Sequence, residues 1–256
     1  MQSPFPSLST LEECSSCHLL FRTDRYELSN PNIAYEEQPD SVARLLSQEE
    51  KRGPYYDKWI DWIEDKVAAP GPLLEIGVGA GGLLKRLIGR GWEVEGIESS
   101  EALCETARKN VGSQTVIHNL RLEEAGAALS RRPYRAVLAI DVLEHLPDLF
   151  LMPRLAREWL QPGGVLILQT PNSEALRRFL EKENWEQLAP GEHFVIHSKN
   201  SLRLLLEKSG YTEIEVRTRS GTGVDPVLRR IMMAPMGRIL NLLGAGNALL
   251  AVAKKN

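Results

Sequence analysis

The chain has 256 residues, with 31 Lys and Arg against 34 Asp and Glu and a formal net charge of -3. Apolar residues make up 43% and charged residues 25%, which excludes a bulk-disordered chain and a collagen-like fibre. The mild acidity gives no global pull toward nucleic acid or an anionic membrane, and at about 150 residues per domain the length allows one domain or two.

Residues 1–53 are polar, dotted with proline and weakly periodic. They read as an N-terminal extension or small lid with a single CxxC, not as an independent domain. The opening MQSPFPSLSTLEEC has no basic stretch followed by an apolar run, so no signal peptide is expected. Three cysteines cannot build a disulfide framework, which favours a reducing, cytoplasmic setting. Cys14 and Cys17 with His18 supply at most three metal ligands where structural zinc takes four, so no metal site is expected; a site shared in a dimer and a pair of ordinary thiols are the other readings.

From Tyr55 the pattern changes. Tyr56, Trp59, Ile60, Ile63 and Val67 fall at helical spacing and predict a helix over 55–67, ended by Pro70-Gly71-Pro72. Short apolar runs then alternate with helical patterns. Strands are predicted over 73–77, 92–97, 115–118, 134–140 and 165–169, and the continuous apolar run of 134–140 marks a central strand. Helices are predicted over 82–90 and 101–110. Another, lined by Leu149, Met152, Leu155, Ala156, Trp159 and Leu160, is stopped by Pro162-Gly163-Gly164. A helix over 201–209 closes at Gly210, and the last strands are 213–218 and 248–253. Strands separated by helices imply right-handed crossovers and a mostly parallel α/β sheet covered on both faces, with an antiparallel edge where the last two strands lack a βα repeat. The most apolar stretch, Ile231 to Ala253, is broken by Arg238, Asn241 and Asn247 and by Pro235 and three glycines, so no transmembrane helix is expected. No internal repeat is evident.

The first strand runs into Glu75-Ile76-Gly77-Val78-Gly79-Ala80-Gly81-Gly82 and then a helix. Glycines let backbone turn sharply and a ligand approach closely, and a helix N-terminus adds oriented N–H groups. Gly77, Gly79 and Gly82 satisfy the dinucleotide pattern GxGxxG. Glu98 ends the second strand, where a carboxylate can accept both hydroxyls of a ribose. That suits a nicotinamide cofactor and S-adenosylmethionine equally. Glu75 discriminates: a carboxylate inside an apolar strand is well used near an ammonium or sulfonium and repels a pyrophosphate.

With Glu75-x-Gly77-x-Gly79-x-Gly81 and Glu98 in place, the sequence resembles class I S-adenosylmethionine-dependent methyltransferases. Asp141-Val142-Leu143-Glu144-His145-Leu146-Pro147-Asp148, Leu160-Gln161-Pro162-Gly163-Gly164, Thr170-Pro171-Asn172 and Glu192-His193 resemble the small-molecule branch that includes quinone-biosynthesis methyltransferases. The resemblance covers about residues 55–256 and implies a methyltransferase domain over 54–256. It implies a Rossmann-like seven-stranded sheet of order 3-2-1-4-5-7-6, the last strand antiparallel, with helices on both faces. It also implies S-adenosyl-L-methionine as cofactor. Glu75, Gly77, Gly79 and Gly81 would surround its methionine part. Glu98 would bind the ribose with Ser99 beside it, Asn119 and Leu120 would lie near the adenine, and Asp141 and Val142 would lie against the cofactor. That branch sometimes carries a zinc ribbon near the N-terminus with two CxxC pairs; this chain has one.

Methyl transfer to an oxygen or carbon acceptor can require a base. His145 is the first candidate and His193 the second, each with the alternative of a structural histidine packing its loop. Glu144 either orients a neighbour or is solvated, and His118 and His197 read as structural or surface groups. Trp185 to Ile196, with Pro190-Gly191, falls where a lid would cover an acceptor. The apolar insert around 227–243, with Arg229, Arg230 and Arg238, could touch a membrane peripherally or receive a lipophilic acceptor, though such inserts more often pack over an active site or form a dimer contact. Arg131-Arg132 reads as a solvated loop, and no basic stripe suggests RNA.

The leading expectation is an enzyme moving the methyl group of S-adenosylmethionine to a small-molecule acceptor, with an oxygen nucleophile, by in-line displacement. The alternatives are a non-catalytic S-adenosylmethionine-binding module, a nicotinamide-dependent Rossmann oxidoreductase and a macromolecule methyltransferase. The acceptor and oligomeric state stay open, because acceptor-binding residues in such folds lie on variable loops.

Overall fold

The computed structural model describes residues 10–25, 43, 47, 52–67, 69–129, 133–188, 193–220 and 238–256. Among them, β3 (Pro72–Ile76), β4 (Glu93–Glu98), β5 (Val116–Asn119), β6 (Tyr134–Ile140), β7 (Leu160–Pro171), β9 (Thr212–Arg219) and β10 (Ala248–Lys254) build one sheet. Two short N-terminal strands, β1 (Leu11–Glu13) and β2 (Leu20–Arg22), join β8 (Val195–Ile196) in a second, three-stranded sheet. The large sheet runs β5-β4-β3-β6-β7-β10-β9. Counted within that sheet alone, this is the expected order 3-2-1-4-5-7-6. Only β10 runs against the rest, antiparallel to both β7 and β9.

The sheet is buried on both faces because its central strands alternate apolar side chains between two cores. Leu74, Ile76, Val137, Ala139, Leu166 and Leu168 point to one core. There they meet α4 (Leu122–Leu129), α5 (Leu151–Trp159) and α7 (Lys199–Lys208) through Ala125, Met152, Trp159 and Leu202. Leu73, Ala136, Leu138, Val165 and Ile167 point to the other. That face is covered by α1 (Gly53–Lys66), α2 (Gly82–Gly89) and α3 (Glu101–Val111) through Trp59, Ile63, Leu84 and Ala107. The chain winds one way from β3 through α2 and α3, and the other way from β6 through α5. Strand order therefore reverses between β3 and β6, and such a switch point leaves a crevice at the carboxyl ends of the strands.

Apart from the differences below, the predicted elements hold within a residue or two. First, Pro162-Gly163-Gly164 does not separate a helix from a strand: α5 ends at Trp159 and β7 starts at Leu160. Leu160 pairs with Tyr134 and Val165 with Ala136, so the proline and glycines bulge out of a continuing strand. Gly163, at φ +76°, makes that excursion, and its N–H donates to the Lys255 carbonyl at 2.8 Å. Second, α4 was not predicted. Its eight residues offer only Leu122, Ala125 and Leu129 at helical spacing, too few to stand out. Third, the polar N-terminal region contains β1 and β2. Their sheet is completed by β8, some 170 residues away in sequence, a pairing no local pattern encodes. A short helix, α6 (Leu176–Glu181), lies between β7 and β8.

The N-terminal hairpin is docked by polar contacts and a small core. Arg178, itself buried, donates to Glu13 Oε2 at 2.5 Å and to the Ser173 carbonyl at 2.8 Å. Ser173 and Ser198 hydroxyls donate to the carbonyls of His18 and Cys17 at 2.7 and 2.5 Å. Leu11 and Leu20 pack with Ala175, Trp185, Leu188 and Ile196. No helix of the described residues is long and apolar enough to cross a membrane. The readings of Arg131-Arg132, Pro190-Gly191, Glu192 and most of the 227–243 insert fall outside the described residues.

Candidate active site

A cleft of about 730 Å³ opens at the carboxyl ends of β3, β4 and β6, where the strand order reverses. Glu75, Gly77, Gly79, Glu98, Ser99, Leu120, Asp141, Val142, His145 and His193 all line it. Ten side chains or backbone turns singled out in the sequence, spread over 119 positions, thus meet in one cavity. Gly81 and Asn119 do not line it.

The turn after β3 shows why glycine is needed. Gly77 sits at φ +74°, and a Cβ there would meet Val142 Cγ2 at 2.5 Å. Gly79 sits at φ +57° with nothing within 4 Å of an added Cβ, so its backbone lies bare at the cleft. The turn is pinned by Gly77 and Val78 N–H groups donating to the Ile97 carbonyl at 2.9 and 3.2 Å. Gly81 is the N-cap of α2 and packs on Ala107 of α3 instead of facing the cleft.

Glu98 is buried at the end of β4. Its carboxylate accepts from Gly79 N–H at 2.8 Å and from Ser100 N–H at 3.0 Å. Burial raises its pKa, and those backbone N–H groups pull back toward the charged form. An ionised carboxylate offers about four lone-pair sites, more than the backbone N–H groups occupy, so a hydroxyl donor can be accepted from the cleft. Asn119 is spent on backbone: its amide donates to the Glu98 and Ser99 carbonyls at 3.0 Å each. It therefore fixes the strand end that carries Glu98, and Leu120 takes the cleft-facing place. Glu75 is nearly fully buried at the cleft floor.

Asp141 follows β6 at φ +55°, a left-handed conformation that aspartate tolerates better than most residues. Asp141 is exposed where it lines the cleft. Gln169 Nε2 donates to it at 2.8 Å, and Tyr55 Oη donates to Gln169 Oε1 at 3.1 Å. The Arg219 guanidinium lies 4.3 Å over the Tyr55 ring. Desolvation raises the Asp141 pKa, and burial and the Asp141 charge raise that of Tyr55. Sequence reasoning did not single out Gln169 or Tyr55 as site residues. A glutamine interrupting the apolar run of β7 was the available signal.

The solvated reading of Glu144 is corrected: the residue is 1% exposed. Thr170 Oγ1 donates to its Oε2 at 3.0 Å, and burial with the nearby Asp141 charge lifts its pKa well above the ordinary carboxylate range. His145 and His193, separated by 47 residues, stand edge-to-face with ring centroids 4.8 Å apart. Their pairing is set by Phe194 N–H, which donates to the Glu144 carbonyl at 2.8 Å. His193 Nδ1 lies 2.8 Å from the Gln187 carbonyl. A carbonyl only accepts, so Nδ1 carries the proton and Nε2 of the neutral ring is the basic nitrogen. The other histidines lie elsewhere. His118 Nε2 is 2.6 Å from Glu95, and His197 is buried against Ser201, its pKa pushed down to about 3 by burial.

Cys14 and Cys17 sit half-buried in the turn of the N-terminal hairpin. Hydrogen bonds from the Ser16 and Cys17 backbone and from the Cys17 thiol hold the Cys14 pKa down, whereas burial pushes Cys17 up. Neither belongs to the cleft.

A family model described as a methyltransferase domain matches residues 45–216. A ubiquinone biosynthesis O-methyltransferase of Xanthomonas campestris pv. campestris (strain B100) is 32% identical over 117 residues, 44% of this chain and 48% of that protein. The enzyme of the same name from Pseudomonas aeruginosa (strain UCBPP-PA14) is 30% identical over 116 residues, 44% of this chain and 50% of that protein. The chain thus spans about half the length of the curated relatives it matches. Among solved structures, a methyltransferase from Thermotoga maritima, described as a possible histamine N-methyltransferase, aligns with TM-score 0.65 at 17% identity. That alignment covers 89% of this chain and all of the other. Magnesium protoporphyrin IX methyltransferase from Synechocystis PCC 6803 aligns with TM-score 0.58 at 18% identity, covering 91% and 94%. At these identities the structural likeness concerns the fold.

Proposed function

Because this chain belongs to the methyltransferase domain family, we propose that it uses S-adenosylmethionine to methylate a small molecule, with an oxygen nucleophile as acceptor. The observation that carries the reading is Glu98. Its buried carboxylate is held by Gly79 and Ser100 N–H groups at the wall of the cleft, with lone-pair capacity left for a ribose hydroxyl. The bare backbone at Gly79 and the carboxylate of Glu75 lie where the methionine part would rest. Glu75 suits an ammonium or sulfonium and disfavours a pyrophosphate, which argues against a dinucleotide. Leu120 supplies an apolar surface for the adenine. The two ubiquinone O-methyltransferases support an oxygen acceptor.

When bound, the cofactor supplies an already activated methyl group, so the protein's task is alignment and exclusion of water. Asp141, fixed by Gln169, and Val142 would orient the cofactor at the end of β6. His145 and His193 face the remaining volume of the cleft. His193 Nε2, with Nδ1 tied to Gln187, would take a proton from an acceptor hydroxyl in metal-free protein. Trp185, buried at the same wall, would close the acceptor side. The N-terminal hairpin would back this side of the cleft, because β2 pairs with β8, which starts two residues beyond His193.

Calorimetric titration with S-adenosylmethionine, S-adenosylhomocysteine and NADH tests the cofactor. Micromolar binding of both sulfur ligands, lost in Glu98→Ala, and no NADH binding are expected. Binding of NADH alone would overturn the reading. Transfer of a radiolabelled methyl group to phenolic acceptors, against amine controls, then tests the nucleophile.

A further inference from the structure

The acceptor end of the cleft brings together Glu144, His145 and His193, whose ligand-type atoms all lie within 4.8 Å of one another. We propose that these three side chains hold a divalent transition-metal ion.

The arrangement has the parts such a site requires. Glu144 and His145 are adjacent on the short 3-10 turn Leu143–His145 that follows β6. His193 arrives from a distant segment and is locked beside them by the Phe194 N–H to Glu144 carbonyl bond. Two of the three donors, His193 and Glu144, are also oriented from behind. The Gln187 carbonyl takes the Nδ1 proton of His193, leaving Nε2 as the ligand atom. Thr170 Oγ1 donates to one Glu144 oxygen, leaving the other for the ion. Hydrogen bonds of this kind fix tautomer and carboxylate orientation around bound metals. A buried carboxylate beside a second acid, Asp141, is costly, and a cation between them and two imidazoles offsets that cost. Two nitrogens and one carboxylate oxygen match Zn2+, Co2+, Mn2+ or Fe2+ better than the all-oxygen preference of Ca2+ and Mg2+. Bonds of about 2.1 Å hold donors at most about 4.2 Å apart, so the cluster needs to close by about half an ångström.

All three residues line the cleft, so the ion's open positions face the acceptor. An acceptor hydroxyl binding there forms a metal–oxygen bond and releases its proton to solvent at a lowered pKa. In the metal-loaded protein the ion takes over from His193 Nε2 the task of activating the acceptor hydroxyl. Only this last consequence rests on the proposed methyl transfer; the ion site stands on the cluster itself.

The test is Co2+ titration of the full chain after chelator treatment, in a Cys14→Ser, Cys17→Ser background that removes thiolate ligation. One equivalent with visible ligand-field bands and no near-ultraviolet thiolate band is expected. His193→Ala, a change that leaves the buried Glu144 in place, should weaken binding about tenfold or more. Absence of ligand-field bands, or unchanged affinity in both His193→Ala and His145→Ala, overturns the proposal. S-adenosylhomocysteine titration of the same samples separates the two readings. Cofactor binding without Co2+ binding sinks the ion site alone, and Co2+ binding without cofactor binding sinks the proposed function alone.

Discussion

Gly77 shows how tightly single residues are constrained here. Both its positive φ and the 2.5 Å approach of Val142 Cγ2 forbid a side chain. Gly77→Ala should cost about 1–3 kcal/mol and weaken cofactor binding. Adding Val142→Ala relieves the clash but not the backbone strain, so the double variant should recover only part of the loss in urea unfolding and titration. Full recovery would show that φ +74° costs nothing. Glu144 makes a pH prediction. Its folded pKa is raised by burial and by Asp141. Above the ordinary carboxylate value the unfolded chain has lost a proton that the native state still holds, so this group's contribution to stability falls as pH rises. In metal-free protein, Glu144→Gln should flatten the decline in urea midpoint as pH rises above the ordinary carboxylate range. An unchanged slope would mean that Glu144 ionises as readily folded as unfolded.

Elements act here by carrying distant residues to one place. β6 delivers Asp141, Val142, Glu144 and His145 at its carboxyl end, and β7 supplies Gln169 and Thr170 beside them through the parallel register Ile140 to Gln169. The N-terminal hairpin is the least self-sufficient element, with two three-residue strands and a small core. The half-buried Arg178–Glu13 pair ties it to α6. Arg178→Met should cost about 1–3 kcal/mol locally. Hydrogen exchange should accelerate at Leu11–Glu13 and Leu20–Arg22 while the amides of β6 keep their protection. Equal loss of protection in both regions would mean that the hairpin and the main sheet open as one unit.

At the scale of the molecule, two apolar cores sandwich one sheet, and the cleft lies where that sheet changes winding direction. Core and site are therefore separable. Leu138, fully buried in β6, faces the core under α1 and α2 and is absent from the cleft. Leu138→Ala should lower unfolding free energy by about 2–5 kcal/mol and leave the affinity for S-adenosylhomocysteine within a factor of about two. The ligand at about 100 times its Kd should return about 2.7 kcal/mol to either protein. A Kd shifted in parallel with stability would tie the cleft to core packing.

The sequence by itself determined the α/β class, the βα alternation from Tyr55 onward, the glycine turn and the acid that ends β4. These are local properties: periodicity, the absence of a Cβ at particular backbone angles, and a carboxylate at a strand end. It also singled out His145 and His193, but not their contact. It missed the N-terminal hairpin because its third strand lies beyond residue 190. It left Glu144 open because burial depends on what covers the turn, and Thr170 and the 193–196 segment do so from elsewhere in the chain. Asn119 was expected near the adenine, yet the fold turns its amide onto the carbonyls of Glu98 and Ser99 and leaves it out of the cleft lining. What tertiary structure alone decided was which polar groups are buried and against whom. Desolvation and hydrogen-bond partners are set by neighbours in space, and for this cleft those neighbours come from both ends of the chain.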